Sequence, residues 1–264
     1  FTKPFTRCAL ALAIGLATAQ ITLAQSEEEK PAEGFVEGST LTLTSRNYYF
    51  NRDYRNVPST DQSFREEWAQ GEMLEYKSGY TKGVIGVGID VFGYAGFKLD
   101  SGKGRANQTG SIIGLLPAND QGEPEDSYGE SGAALKLRMS ATELKYGQMR
   151  TAAPVFATGD AFLLPETATG FLATSNEFTN LVLEAGHFTA FNDYNSSNSD
   201  SELKPAYGSG KPGSSISFGG GSFTGVENLT LMAYGSHFED SWNQYFINTN
   251  YGIPFTENQK LVFD

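Results

Sequence analysis

The feature that most constrains the fold is a repeated alternation of apolar and polar residues, which begins near Phe35 and recurs along the rest of the chain. In the clearest segment, large apolar residues alternate with two glycines and an aspartate: Ile85, Gly86, Val87, Gly88, Ile89, Asp90 and Val91. A period of two places successive side chains on opposite faces of a β-strand. The connections are alternately short and long, which predicts an up-and-down antiparallel sheet whose long loops share one rim.

The polarity of the two faces separates a membrane barrel from a soluble β protein. A soluble sandwich or lipocalin buries its apolar face, whereas a membrane barrel turns that face to lipid, keeps polar residues in its lumen and carries aromatic residues at both interfaces. Inward-facing glycines such as Gly86 and Gly88 suit an open lumen. The following aromatic residues cluster near predicted strand ends: Phe50, Trp68, Tyr80, Tyr146, Phe188, Phe223, Phe238 and Trp242.

These patterns favour a transmembrane antiparallel β-barrel. An exported soluble or surface β-sheet protein with a binding or adhesion role remains the alternative. No stretch reaches the roughly 18 consecutive apolar residues that a spanning helix needs. The formal net charge of −12 argues against binding to nucleic acid.

Catalytic and metal-binding chemistry has no support in the sequence. The single cysteine, Cys8, lies in the N-terminal leader, which excludes a disulfide framework or a cysteine metal site in the mature chain. The two histidines, His187 and His237, each lie near a predicted strand end among aromatic residues, where we expect a packing or interface role. No nucleophile elbow, phosphate loop or metal-ligand spacing occurs. The sequence therefore predicts a protein that is not an enzyme and has no cofactor.

The N-terminal segment predicts export. Lys3 and Arg7 precede an apolar run over residues 8–19, and Thr22-Leu23-Ala24 places small residues where a signal peptidase reads them. We expect a signal peptide over residues 1–24, a solvated periplasmic spacer over 25–34, and a β-barrel over 35–264.

The strand count indicates the size of the barrel. The pattern predicts ten complete strands and an eleventh that begins at Lys260, with turns at Asn176–Phe178, Thr224–Asn228 and Pro254–Gln259. A barrel closed by ten strands would leave residues 260–264 without a role, and a bilayer does not tolerate unpaired sheet edges. We therefore expect a larger parent barrel whose C-terminal strands are missing from this sequence. Barrels of 16 to 18 strands enclose an aqueous channel.

Several short segments resemble the OprD-type outer-membrane porins, in the same order as in that family. Individually they are short, but together they span nearly all of residues 35–264. The matching segments are Arg46–Arg55 (RNYYFNRDYR), Glu66–Gly71 (EEWAQG), Gly114–Pro117 (GLLP), Thr142–Gly147 (TELKYG), Leu163–Pro165 (LLP), Leu183–Phe188 (LEAGHF) and Tyr245–Pro254.

The resemblance implies an eighteen-stranded monomeric barrel in the outer membrane of a Gram-negative bacterium. Its function would be passive, substrate-selective uptake of small carboxylate-bearing nutrients, such as amino acids, peptides or aromatic acids. Its partners would be outer-membrane lipid, lipopolysaccharide, the barrel-assembly machinery and the solutes themselves.

The resemblance also implies a constriction, because the third long loop of the family folds into the lumen. That loop is Arg150–Glu166 here, so Asp160 and Glu166 are expected near the narrowest point. Strand parity predicts five charged residues that point into the lumen: Arg46, Asp90, Lys136, Arg138 and Glu184. Basic groups would attract a solute carboxylate, and acidic loop groups across a narrow waist would discriminate among solutes. The alternative is that these charges only solvate a water-filled wall.

Overall fold

The computed structural model describes residues 34–55, 62–102, 105–106, 114–119, 121–204, 212–256 and 259–264. The predicted signal peptide over residues 1–24, and all of the predicted spacer except Gly34, lie outside the described residues. Within the described ranges, no helix has the length and hydropathy that a membrane crossing requires.

The described part of the chain folds into β-strands joined by turns and loops. Strands β6 and β7 pair only with each other, and the other eleven strands form one antiparallel sheet in chain order. The strands are β1 (Thr40–Asp53), β2 (Phe64–Lys77), β3 (Ile85–Asp100), β4 (Ser127–Met139), β5 (Thr142–Met149), β6 (Ala152–Ala153), β7 (Phe156–Ala157), β8 (Thr167–Phe178), β9 (Leu181–Asn192), β10 (Ile216–Val226), β11 (Leu229–Phe238), β12 (Trp242–Thr256) and β13 (Gln259–Phe263).

The sheet order confirms the predicted up-and-down arrangement and the eleventh strand. Apart from β6 and β7, which are not in the main sheet, strands that follow each other in the chain are also neighbours in the sheet. Among the described residues, β1 pairs only with β2 and β13 pairs only with β12.

The two rims of the sheet differ in their connections. At one rim, here called the short-turn rim, three hairpins close through two residues each, and each turn contains a residue with positive φ: Ser140, Asn180 and Asn228. Two-residue hairpins favour such a left-handed backbone because it matches the twist of the strands. At the opposite, long-loop rim, extended connections cover residues 101–126, 150–166 and 193–215.

The apolar face of the sheet points outward. In β4, Leu135 is 50% exposed and Met139 is 59% exposed. Ala134 and Lys136, the chain neighbours of Leu135, are only 1% and 5% exposed. The same alternation holds for Leu41 and Leu43 in β1 and for many later strands. A soluble protein would bury this face, so the outward apolar face supports a sheet surrounded by lipid.

Loops from the long-loop rim pack on the inner wall of the sheet. One apolar cluster joins the inner faces of β2 to β4 to two loop segments, with Leu115, Leu116, Leu163 and Leu164 buried. A second cluster joins the inner faces of β8 to β11 to the β6–β7 hairpin around Phe156. The loops therefore narrow the space that the sheet encloses.

Part of the predicted aromatic belt lies inside the sheet instead. Phe188 is fully buried and Phe238 is 4% exposed, and both belong to the cluster around the β6–β7 hairpin. The ring centroid of Phe188 lies 5.2 Å from that of Phe156 and 6.2 Å from that of Phe218. Position near a strand end indicated depth along the strand, but the parity of these residues points them inward.

Three predicted turns are displaced in the structure. β8 continues through residues 176–178 and turns at 179–180, and the hairpin after β10 tightens to residues 227–228. β12 continues through Pro254 to Thr256, where a register shift accommodates the proline before β13 begins. Polar and proline residues that usually mark turns are tolerated in these strands because a register irregularity lies close by in each pairing.

We expect a charge on the outward face to destabilise the sheet in lipid. Leu135 lies on the exposed stripe of β4, and Leu135→Arg should lower the free energy of unfolding by about 2–4 kcal/mol, because a guanidinium would have to enter hydrocarbon. Thr174→Arg is the matched control, because Thr174 pairs in register with Glu143 and Glu184 on the inner face. Urea titrations of the full-length protein in lipid vesicles measure both, and equal losses would contradict the assignment of faces.

Candidate channel lining and constriction

The loop over residues 150–166 folds onto the inner wall of the sheet. Its last part is closed by Gly159 and Glu166, since the Glu166 N–H donates to the Gly159 carbonyl at 2.9 Å and the Gly159 N–H donates to the Glu166 carboxylate. Leu163 is fully buried against β2, where a Cβ on Gly71 would lie 3.0 Å from the Leu163 carbonyl oxygen. The missing side chain of Gly71 therefore allows the loop backbone to approach the strand.

A shared carboxylate fastens this loop to the wall. Asp160 Oδ1 accepts a hydrogen bond from Arg46 Nη1 at 2.9 Å, and Asp160 Oδ2 accepts one from Arg150 Nη2 at 2.9 Å. Arg46 comes from the middle of β1, and Arg150 directly follows β5. Arg46 also donates to the carbonyl oxygens of Phe162 and Leu163. We call Arg46, Asp160 and Arg150 the Asp160 clasp.

The other long loops support the same segment. The ring of Phe162 stacks on that of Tyr194 with centroids 4.1 Å apart. The Tyr128 hydroxyl lies 3.1 Å from the Tyr194 carbonyl oxygen and 2.9 Å from that of Leu115. Burial raises the pKa of Tyr194 to about 12. Contacts among three loops thus help to hold the segment around Phe162 in place.

A buried ion pair holds the loop that precedes β4. Arg65 Nε lies 3.1 Å from Glu67 Oε1, and both side chains are almost completely buried. The other oxygen of Glu67 accepts the backbone N–H groups of Leu115 and Leu116. A buried carboxylate needs such partners, because an unpaired charge in a low-dielectric interior is costly.

A second shared carboxylate lies nearer the short-turn rim. Asp90 of β3 contacts Lys136 Nζ of β4 at 2.6 Å through Oδ1, and Lys145 Nζ of β5 at 3.0 Å through Oδ2. Lys145 also lies 3.3 Å from Glu143 Oε1. We call Asp90, Lys136 and Lys145 the Asp90 cluster. As in the Asp160 clasp, two cations share one aspartate.

Arg138 lies beside the Asp90 cluster and contacts an aromatic ring. Its guanidinium carbon is 4.3 Å from the ring centroid of Tyr80, and Lys136 Nζ is 5.1 Å from the same centroid. Both distances fall in the range of cation–π contacts. Tyr80 was expected in the outer aromatic belt, but its ring lies against the cationic inner wall.

Two of the predicted site residues lie apart from both groups. Glu184 of β9 accepts the Tyr234 hydroxyl at 3.4 Å, and no cation pairs with it among the described residues. Glu166 binds the Gly159 N–H, and burial raises the pKa of its carboxyl above the ordinary value. Glu166 therefore shapes the loop and does not join the Asp160 clasp.

The structure thus brings Arg46 to Asp160 and Lys136 to Asp90, two pairs that lie far apart in the sequence. We expected acidic loop residues to face basic wall residues across a gap. In the structure, Asp160 instead forms direct ion pairs with Arg46 and Arg150. Sequence reasoning missed Arg150, Lys145 and Tyr80. The polar parity of Lys145 in β5 was a usable signal, whereas Arg150 and Tyr80 lie outside the strands, where parity gives no direction.

No group of three or more histidine, cysteine, aspartate or glutamate side chains in the described ranges is arranged to hold a metal ion. The two groups on the inner wall consist of guanidinium, ammonium and carboxylate groups, of which Lys136 is buried and the others are partly exposed. Such groups can bind charged solutes weakly and reversibly.

Comparisons with known proteins identify the family to which the chain belongs. Residues 33–264 match the family model for "outer membrane porin, OprD family". Porin D of Pseudomonas aeruginosa is 43% identical over 258 residues, which cover 97% of this chain and 56% of Porin D.

Solved structures show the same likeness. The crystal structure of Pseudomonas aeruginosa OccK9 (OpdG) superposes with a TM-score of 0.77 at 35% identity, covering 84% of this chain and 56% of OccK9. That of Pseudomonas aeruginosa OpdK with vanillate gives a TM-score of 0.74 at 35% identity, covering 85% of this chain and 55% of OpdK. The chain therefore spans just over half the length of these relatives.

Loss of the Asp160 charge should loosen the loop. Each partly exposed ion pair contributes about 0.2–1 kcal/mol, so Asp160→Asn should speed amide hydrogen exchange in residues 159–164 by about fivefold. Asp126→Asn, which breaks the ion pair between Asp126 in the loop before β4 and Lys98 of β3, is the control and should leave these amides unchanged. Unaltered exchange in Asp160→Asn would show that the clasp does not hold the loop.

The closed loop should also weaken as Glu166 ionises. Burial raises the pKa of the Glu166 carboxyl. The carboxyl therefore binds its proton more tightly when the loop is closed by the Gly159–Glu166 hydrogen bonds than when those bonds are broken and the loop is open. The stability of the closed loop is therefore greatest below the pKa of the open loop and falls as pH rises through the raised pKa. Glu166→Gln keeps an acceptor for the Gly159 N–H without titrating. After correction for intrinsic rates, exchange at Gly159 should rise with pH in the wild type only, and parallel curves would refute this.

Proposed function

The chain belongs to the OprD family of outer-membrane porins, and on this basis we propose that it forms much of the wall of a passive, substrate-selective uptake channel. Proteins of this family lie in the outer membrane of Gram-negative bacteria. The proposed solutes are small molecules that carry a carboxylate. The complete barrel is proposed to be monomeric and eighteen-stranded, and to contact outer-membrane lipid, lipopolysaccharide and the barrel-assembly machinery.

One observation carries the proposal: the Asp160 clasp and the Asp90 cluster each contain two cations for one shared aspartate. Arg46 and Arg150 share Asp160, and Lys136 and Lys145 share Asp90. Glu143 and Arg138 beside the Asp90 cluster add one charge of each sign. Each of these two groups therefore has a formal excess of one positive charge, although the whole chain carries a formal charge of −12.

This excess suits transient binding of a carboxylate. Each guanidinium has five N–H donors in a planar fork, so contacts with one carboxylate oxygen leave donors for a solute. The internal aspartate competes with the solute, which weakens binding and favours release into the next position. Conduction requires this balance between attraction and escape.

The loop over residues 150–166 provides the selectivity that a wide pore would lack. It carries Asp160 from the long-loop rim to the level of Arg46, in the middle of β1. A solute that passes this level has to move beside two guanidinium groups of fixed position. A fixed arrangement discriminates by geometry as well as by charge.

A relative supports the substrate class. The solved structure of Pseudomonas aeruginosa OpdK contains vanillate, an aromatic carboxylate. The alternative of a soluble or surface β-sheet binding protein is disfavoured by the exposed apolar stripe of residues such as Leu135 and Leu183. Heat-modifiable migration in gels and partition into membranes would fit the porin, whereas recovery as a soluble monomer would exclude it.

Removal of one lumenal cation should affect charged solutes selectively. In the full-length channel, Arg138→Ala should lower the flux of a monocarboxylate relative to a neutral sugar by about fourfold, because unit charges ~5 Å apart in water interact with roughly 0.8 kcal/mol. Solute uptake into proteoliposomes measures both fluxes.

Lys82→Ala is the control for this experiment, because Lys82 is an exposed cation in the connection between β2 and β3. It should leave the flux ratio within about twofold of wild type, since exposed charges are strongly screened by salt. Equal changes for the carboxylate and the sugar in Arg138→Ala would contradict a role in selectivity.

A further inference from the structure

Tyr80 is held against the inner wall by the connection in which it lies. This connection, residues 78–84, folds back onto the start of β3. The Thr81 N–H donates to the Val87 carbonyl at 2.9 Å, and the Val87 N–H donates to Thr81 Oγ1 at 2.9 Å. Ser78 bonds Ile89 in the same reciprocal manner, at 2.9 and 2.7 Å. The position of Tyr80 is therefore fixed by hydrogen bonds on both sides.

Two glycines of β3 create the space for the ring and for the cations. A Cβ on Gly86 would lie 2.9 Å from Tyr80 Cβ, and a Cβ on Gly88 would lie 2.7 Å from Lys136 Cε. Gly86 pairs in register with Arg138, and Gly88 pairs with Lys136. The sequence suggested that Gly86 and Gly88 leave an open lumen. The space beside them is instead occupied by Tyr80 and by the side chain of Lys136.

Arg138 has a second candidate partner that it does not contact. Its register neighbour on β5 is Glu143, and opposite charges at such positions attract. In the structure, however, Glu143 lies 3.3 Å from Lys145, and the guanidinium of Arg138 lies over the Tyr80 ring. The ring keeps the charge of Arg138 without neutralising it, because an aromatic face attracts a cation but carries no net charge.

We propose that Tyr80 is a positioning residue, which holds Arg138 away from Glu143 and keeps its charge available to solutes at the short-turn mouth of the channel. This inference rests on the proposed channel function. The ring is the active part, because the Tyr80 hydroxyl is buried and has no hydrogen-bond partner among the described residues. Without the ring, Arg138 turns to Glu143, and the two charges cancel.

The test compares two substitutions of Tyr80 in the full-length channel. Tyr80→Leu removes the aromatic face and should lower the ratio of benzoate flux to neutral-sugar flux by about two- to fivefold, the range that corresponds to an exposed cation–π contact. Tyr80→Phe keeps the face and should retain the wild-type ratio. Val84→Ala, which shortens an exposed side chain of the same connection without altering the ring or a cation, is the matched control and should also retain it.

A double substitution tests the proposed competition. Adding Glu143→Gln to Tyr80→Leu removes the competing carboxylate and should restore the flux ratio to at least the wild-type value. Absence of recovery would overturn the proposed role of Glu143. A Tyr80→Leu channel in which both solutes slow equally would show that Tyr80 only supports packing, and a Tyr80→Phe channel as impaired as Tyr80→Leu would assign the effect to the hydroxyl.

A readout that does not depend on transport separates the two proposals. Phenylglyoxal modification of Arg138, followed by mass spectrometry of the peptide over β4, should change in rate by about two- to fivefold in Tyr80→Leu and stay unchanged in Tyr80→Phe. An unchanged rate in Tyr80→Leu refutes the positioning role whatever the channel conducts. A wild-type channel that does not prefer benzoate over the sugar refutes the proposed function, while the reactivity of Arg138 still decides the role of Tyr80.

Discussion

The backbone hydrogen bonds between strands are the constraint on which the rest of the structure depends. Hydrocarbon supplies no partner for a peptide N–H or C=O group, so each strand has to satisfy these groups through its neighbours. Antiparallel pairing in chain order does this for the nine strands that have a neighbour on both sides. It also fixes which side chains face lipid and which face the interior. The charged side chains of the Asp160 clasp and of the Asp90 cluster accordingly have their partners on the inner side.

The inner wall combines shared carboxylates with absent side chains. Asp90 and Asp160 each contact two cations, so charges from β1, from three adjacent strands and from a loop are held in two compact groups. Gly71, Gly86 and Gly88 leave room for a loop backbone, a tyrosine ring and a lysine side chain. At these glycines, neighbouring atoms occupy the space that a side chain would otherwise fill. The polar interior is consequently crowded where glycine alone suggested open water.

The sequence predicted those properties that repeat along a strand. Leu135 and Lys136 were assigned to opposite faces by parity alone, and the sheet places one outside and the other inside. Phe188 was misassigned to the outer belt because a strand-end position indicates depth but does not indicate which face a residue occupies. Tyr80 and Arg150 were beyond such reasoning, since their positions depend on how connections fold. Family resemblance alone placed Asp160 near the constriction, and its contact with Arg46 was not predicted, since local pattern contains no information about contacts over that distance.

The Asp160 clasp has a consequence for the order in which the molecule assembles. It joins side chains 114 positions apart in the chain, one in the first strand and the other beyond the fifth. Contacts between such distant residues form late, because the intervening chain must first be ordered. Arg46 can meet Asp160 only once β1 to β5 have paired and curved enough for the loop to span them. The loop over residues 150–166 is therefore fastened to the inner wall late in folding. Until then, the growing sheet can curve around an interior that this loop does not yet occupy.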